Sequence, residues 1–183
     1  IALFCDWDGD GTDTVGLYRP GEGFVYLRNS NTLGFADLDF FFGIPTDVPV
    51  CGDWDGDGVD TIGVYRPSER RFFLRNSNSL GFADIDFAFG LVGDQPLAGD
   101  WDGDGVDTVA LYRAANSAIY GVAGEVWPVD GSGQLVVGDP DGDGRDGFAG
   151  FSDGVIRWRS GDAAQQLIRF GTAGSVVLAG WWS

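Results

Sequence analysis

An all-β, propeller-like array of four repeats is predicted by three features of this 183-residue chain. Near-copies of one short stretch recur four times, beginning at Asp6 (DWDGDGTDT), Asp53 (DWDGDGVDT), Asp100 (DWDGDGVDT) and Asp139 (DPDGDGRDG). Their starts are 47, 47 and 39 residues apart, within the range of propeller blades and solenoid repeats. Composition adds the third feature: Met and Lys are absent, while Gly (31), aromatic and β-branched residues abound, as in short strands joined by turns. The expectation is one repeat domain over residues 1–183, divided into repeats 6–52, 53–99, 100–138 and 139–183.

The second repeat shows the element order most clearly. Val48–Gly52 is a short apolar strand running into the Asp-rich loop. Thr61–Arg66 leaves the loop and stops at Pro67, which cannot continue a central ladder. Arg71–Arg75 is a third strand, closed by the turn cluster Asn76-Ser77-Asn78. Residues 82–90 make a fourth, with Ala83, Ile85, Phe87 and Phe89 alternating against Asp84, Asp86 and Ala88. Four short strands in about 47 residues is the size of one blade. Repeat one is nearly a duplicate, sharing LRNSN, LGFAD and a later FG pair. Repeat three is shorter and lacks LRNSN. Repeat four recovers part of the pattern in Ile156–Ser160 and Ile168–Gly171.

The repeated loops carry the chemistry. Asp6, Asp8 and Asp10, then Asp53, Asp55 and Asp57, Asp100, Asp102 and Asp104, and Asp139, Asp141 and Asp143 occupy loop positions 1, 3 and 5. Alternating carboxylates in a short turn suit a hard cation, and Ca2+ takes six to eight oxygen ligands. Gly at position 6 permits the sharp turn, and position 7 (Thr12, Val59, Val106, Arg145) offers its backbone carbonyl. Position 8 is again Asp, at Asp13, Asp60, Asp107 and Asp146, and either closes the metal site or caps the outgoing strand. Up to four Ca2+ ions, in a structural role, are expected. Three like charges within five residues are unfavourable without a cation.

The order of an FG pair (Phe89-Gly90), a strand, a DxDxDG loop and a strand closing in Tyr-Arg-Pro resembles FG-GAP or VCBS-type repeats. The likeness covers nearly the whole chain, strongly in the first two repeats and weakly in the third. It implies integrin-like β-propeller blades, of a kind that recurs in bacterial secreted proteins, with the calcium loop between the first and second strands. One departure stands out. The family often has its last Asp at loop position 9, where this chain has Thr14, Thr61, Thr108 and Gly147.

Charge fits the same picture. The formal charge is −17, and 16 of the 28 acidic residues lie in the four loops, so four divalent ions would bring it to about −9. All 11 cations are scattered Arg with no basic patch, which argues against a nucleic-acid partner. No apolar run approaches the ~20 residues of a membrane span. There is no His, so His-based triads are excluded, and Glu is limited to Glu22, Glu69 and Glu125. A paired-carboxylate glycosidase would have to use Asp outside the loops, such as Asp84 or Asp86.

Several residues carry two readings. Trp7, Trp54 and Trp101 at loop position 2 either pack against a neighbouring blade, the favoured reading, or stack on sugars. Arg28-Asn29-Ser30-Asn31 and Arg75-Asn76-Ser77-Asn78 form either Asx-type turns or a polar ligand rim. Cys5 and Cys51 precede the first two loops by one and two residues, and both a disulfide and two buried thiols fit that placement.

The expected function is a non-enzymatic, calcium-stabilised structural or adhesive module, secreted or at the cell surface. Its expected partners are calcium and other copies of itself, a surface protein or a glycan. A lectin-like propeller and the repeat domain of a polysaccharide-active enzyme are the alternatives. Starting at Ile1 without an initiator Met, the chain is expected to be a processed form or an excised segment. Residues Val177–Trp182 repeat the strand that enters a loop, without the loop, and suggest head-to-tail pairing into a filament.

Overall fold

The computed structural model describes residues 1–129, 134–160, 166–169, 171, 172 and 175. Among the described residues sixteen strands form four antiparallel sheets of four, and helix is limited to one 3-10 turn at Ala114–Asn116. The first sheet holds β1 (Ala2–Cys5), β2 (Thr14–Arg19), β3 (Phe24–Leu27) and β4 (Leu38–Phe41) in that order. The second holds β5 (Val48–Gly52), β6 (Thr61–Arg66), β7 (Arg71–Leu74) and β8 (Ile85–Ala88). The third holds β9 (Gln95–Gly99), β10 (Thr108–Arg113), β11 (Ala118–Gly121) and β12 (Val126–Pro128). The fourth holds β13 (Gln134–Gly138), β14 (Gly147–Ser152), β15 (Val155–Ser160) and β16 (Gln166–Arg169). The fold class is thus all-β, with four propeller-like blades of four strands each. Each blade starts with the strand that enters its loop, so sheet boundaries fall a few residues ahead of the repeat boundaries.

The loop in every blade joins the first strand to the second. In the second blade, Thr61–Arg66 is rich in β-branched and aromatic residues and pairs with Val48–Gly52 on one side and Arg71–Leu74 on the other. The expected fourth strand shortens to Ile85–Ala88, because residues 75–84 are drawn into a loop built around Arg75. Blade three replaces that long loop by a turn between Gly121 and Val126, which accounts for most of its shorter repeat.

The described residues divide into two compact units, Ile1–Val92 and a second that begins at Gly93. In the first unit the core lies between the two blades. Trp7, Tyr18, Val25, Leu27, Phe40 and Phe42 of blade one pack on Ile62 and Val64 of blade two. Within blade two, Gly63 leaves room for its neighbours: a Cβ there would lie 2.7 Å from Leu74 Cδ2 and 3.2 Å from the Trp54 ring. In the second unit Trp101, Ala110, Ile119 and Trp127 of blade three meet Phe148 of blade four.

The leading strands of adjacent blades run side by side within each unit, β1 by β5 and β9 by β13. Cys5 and Cys51 form a disulfide across the first of these pairs, with Cα atoms 6.5 Å apart. Their one-residue offset in the repeat is what the geometry needs. In the second unit the corresponding residues are Gly99 and Val137, and a Cβ at Gly99 would come within 3.1 Å of Val137 Cγ1. The terminal segment Val177–Trp182, with the head-to-tail pairing expected of it, lies outside the described residues.

The disulfide spans 46 residues, a closure that by chain entropy stabilises by about 4 kcal/mol. Replacing both cysteines by Ser is expected to lower the urea midpoint by a stability loss of roughly 2–4 kcal/mol, with the far-ultraviolet spectrum unchanged. An unchanged midpoint would show that the bridge adds nothing to packing between β1 and β5.

Candidate metal centre

Each loop is built around the carboxylate at its first position. Asp6 Oδ1 accepts the N–H groups of Gly9 (2.9 Å) and Asp10 (3.1 Å), and Oδ2 accepts that of Gly11 (2.7 Å). Asp53, Asp100 and Asp139 repeat the pattern with their own loops. The glycines at positions 4 and 6 make the turn, at φ +75° and +86° in Gly56 and Gly58, where a side chain would be strained. The position-5 carboxylate then accepts the N–H of position 7, as Asp57 does from Val59 at 2.9 Å. These bonds leave the position-3 and position-5 side chains exposed beside the half-buried first one.

The outcome is four clusters, Asp6/Asp8/Asp10, Asp53/Asp55/Asp57, Asp100/Asp102/Asp104 and Asp139/Asp141/Asp143. In each, one oxygen from every carboxylate lies within 4.8 Å of the others. An all-oxygen, triply anionic donor set matches a hard divalent ion, so each cluster can hold a metal ion. Crowding is visible in the fourth loop. Desolvation, the bond to Asp139 and the charges of Asp143 and Asp139 push the Asp141 carboxyl up. Burial opposes ionisation of Asp139, yet N–H donation from Gly144, Gly142 and Asp143 holds it below its ordinary value.

Position 8 behaves differently from the triads. Asp60 directs Oδ2 to the backbone N–H of Asp6 in the preceding blade (2.7 Å), and its own N–H donates to the Asp6 carbonyl (2.8 Å). Asp146 does the same to Asp100, at 3.0 Å and 2.7 Å. Sequence reasoning weighed this residue within its own loop and missed the bond across blades. The available signal was its parity, since an even position breaks the 1-3-5 alternation of the ligand face. Position 9 opens the second strand, where Thr14 and Thr61 are each 4% exposed.

The aromatic and polar clusters serve the loops. Trp7, Trp54 and Trp101 are 2%, 6% and 9% exposed, which is packing rather than a sugar platform. Trp7 and Trp101 donate from Nε1 to the carbonyls of Thr14 (2.9 Å) and Thr108 (3.1 Å), tying loop entry to loop exit. The Arg75 guanidinium holds the carbonyls of Ser79 (2.8 Å) and Phe82 (2.6 Å), and Arg28 holds those of Thr32 (3.0 Å) and Phe35 (2.6 Å). Asn31 and Asn78 reach back to the position-8 carbonyls of Asp13 (2.9 Å) and Asp60 (2.8 Å).

Burial pushes the Asp60 carboxyl up to about 6; the N–H of Asp6 works against that rise, and the charges of Asp13, Asp6 and Asp53 add to it. A folded value above the unfolded ~3.9 means the native state holds the proton longer, so this group's contribution falls as pH rises from about 4 to 6. In excess chelator, the stability of wild type relative to Asp60→Asn is expected to drop by up to about 3 kcal/mol between pH 4 and pH 7. Parallel stability curves for the two proteins would contradict it.

No family model matches the chain, and no curated protein or solved structure matches it either.

Proposed function

We propose that the chain is a non-enzymatic, calcium-stabilised extracellular structural or adhesive module. The observation that carries this reading is the Asp triad at the same place in all four blades. Ca2+ suits it better than Mg2+, because the loop is rich in anionic oxygen and Ca2+ accepts six to eight such ligands in variable geometry, whereas Mg2+ demands near-ideal octahedral geometry and keeps its water. Positions 1, 3 and 5 would hold the ion, with position 7 offering a carbonyl. The bound charge offsets repulsion among the carboxylates.

Several observations support the remaining parts of the reading. The Cys5–Cys51 disulfide suits an oxidising compartment. The carboxylates considered for glycoside hydrolysis are engaged in structural bonds: Asp84 accepts the N–H of Asn76 (2.9 Å), and Asp86 pairs with Arg71. An adhesive role draws support from apolar side chains held out on the Arg-clamped loops, where Leu33, Phe35 and Phe82 are almost fully exposed and Leu80 largely so.

Thermal unfolding in chelator and in millimolar calcium tests the structural role. Each filled site is expected to add about 2.7 kcal/mol when free ion is a hundredfold above Kd, giving a higher midpoint and a stoichiometry of up to four. Identical melting curves would overturn the reading. Magnesium acting at the same concentration as calcium would overturn the choice of ion.

A further inference from the structure

We infer that the position-8 carboxylates Asp60 and Asp146 act on the loop of the preceding blade, and so couple loop two to loop one and loop four to loop three. This rests on the metal reading above and adds a regulation of that site. Asp60 grips the backbone of Asp6 from both sides, its carboxylate taking the N–H and its N–H meeting the carbonyl. Asp6 is the residue whose side chain organises loop one through Gly9, Asp10 and Gly11. A shift of its backbone moves all three bonds and the first carboxylate of the triad together.

A second contact runs along the same line. The Val59 side chain, at position 7 of loop two, comes within 3.0 Å of where a Cβ on Gly9 would sit. The second unit repeats the arrangement with different chemistry. Asp146 holds Asp100, and Arg145 Cγ comes within 2.9 Å of the Cβ position of Gly103. Positions 7 and 8 of one loop therefore both bear on the loop before it. A third link, Asn78 Nδ2, donates to the carbonyl of Asp60 (2.8 Å) and to that of Trp7 (3.4 Å). An ion that orders loop two steadies Val59 and Asp60, and through them Asp6. By linkage the effect is reciprocal: an ion in loop one favours an ion in loop two by the same factor.

Asp60 is thus a positioning residue, and its test must read single loops. Calcium titrations followed by amide NMR on the full chain do so. The position-6 glycines Gly11 and Gly58 donate to the first carboxylates of loops one and two and report each site separately. In wild type both resonances are expected to move with calcium. Removing a hydrogen-bond partner of a ligand commonly costs 10–100-fold in metal affinity. For Asp60→Ala the midpoint at Gly11 is therefore expected to rise at least tenfold, while that at Gly58 rises only by the smaller factor that the coupling transmits. Asp60→Asn keeps an oxygen acceptor and is expected to restore most of the Gly11 affinity. Should Asp60→Ala fail to fold, Asp146→Ala read at Gly105 and Gly144 asks the same question in the second unit, with Gly105 the resonance expected to weaken more. A larger loss at Gly58 than at Gly11 would make Asp60 a ligand of its own loop and overturn the inference. Unchanged midpoints at both would overturn it as well. A wild type whose glycines ignore calcium would overturn the metal reading itself, a result distinct from either.

Discussion

The carboxylate that opens each loop accepts three backbone N–H groups from the following five residues, and much of each blade's geometry follows from that arrangement. The bonds curl the chain about one side chain, which requires left-handed backbone at the glycines of positions 4 and 6. They also aim the second and third acidic side chains back towards the first. The curl brings the chain out antiparallel to its entry, so Cys5 faces Thr14 and Gly52 faces Thr61 at the mouth of the first hairpin of their blades. Strand pairing and the acidic cluster thus share one cause.

Trp at position 2 extends this local order into the core. Once the first Asp is fixed, the next side chain turns inward, and the Trp7 and Trp101 indoles bond the carbonyl at the start of the second strand. The same rings fill the space between blades, where burial of an aromatic side chain contributes most per residue. Repeat four has Pro140 at this position and fills its interior with Phe148, Phe151 and Trp158 instead. Loop geometry and blade packing are therefore not separable: a change at Asp6 is felt at Trp7, and through Trp7 by Ile62 in the next blade.

Most of the fold was legible because a repeat displays its own alignment. Strand order, loop placement and the triads followed from three Asp at alternating positions in four copies, with β-branched runs on either side. Less legible was anything joining one repeat to the next. From the sequence the disulfide stays one of two alternatives because Cys5 and Cys51 sit at different repeat positions, yet adjacent leading strands are staggered by that same residue. Position 8 was read inside its own loop because sequence distance favours local partners, whereas Asp60 reaches 54 residues back to Asp6. The fourth strand was drawn too long because alternation continues through Ala83 and Asp84, which Arg75 and Asn76 hold in a loop.

Where the chain places its own cations shows why the loops, and not other acidic residues, could hold a metal. Asp47 and Asp94 have side chains 0% and 1% exposed, and each is met by two guanidinium nitrogens, from Arg66 at 2.9 Å and from Arg113 at 2.7–2.8 Å. Buried carboxylates of this kind are tolerated only with such a partner. Arg28, Arg71 and Arg75 likewise pair with Asp37, Asp86 and Asp84, all outside the Asp-rich loops. Those Asp residues are neutralised one to one by fixed Arg, and the pairs hold turns and strand edges in place. In the loops three carboxylates converge on one point, and one guanidinium, with its fork of donors on a long stem, cannot fill a site only a few ångströms across. A compact divalent ion can. The contrast is therefore steric as much as electrostatic: the acids that pair with Arg stand apart from one another, and the clustered acids make a site that an ion small enough to touch all three could fill.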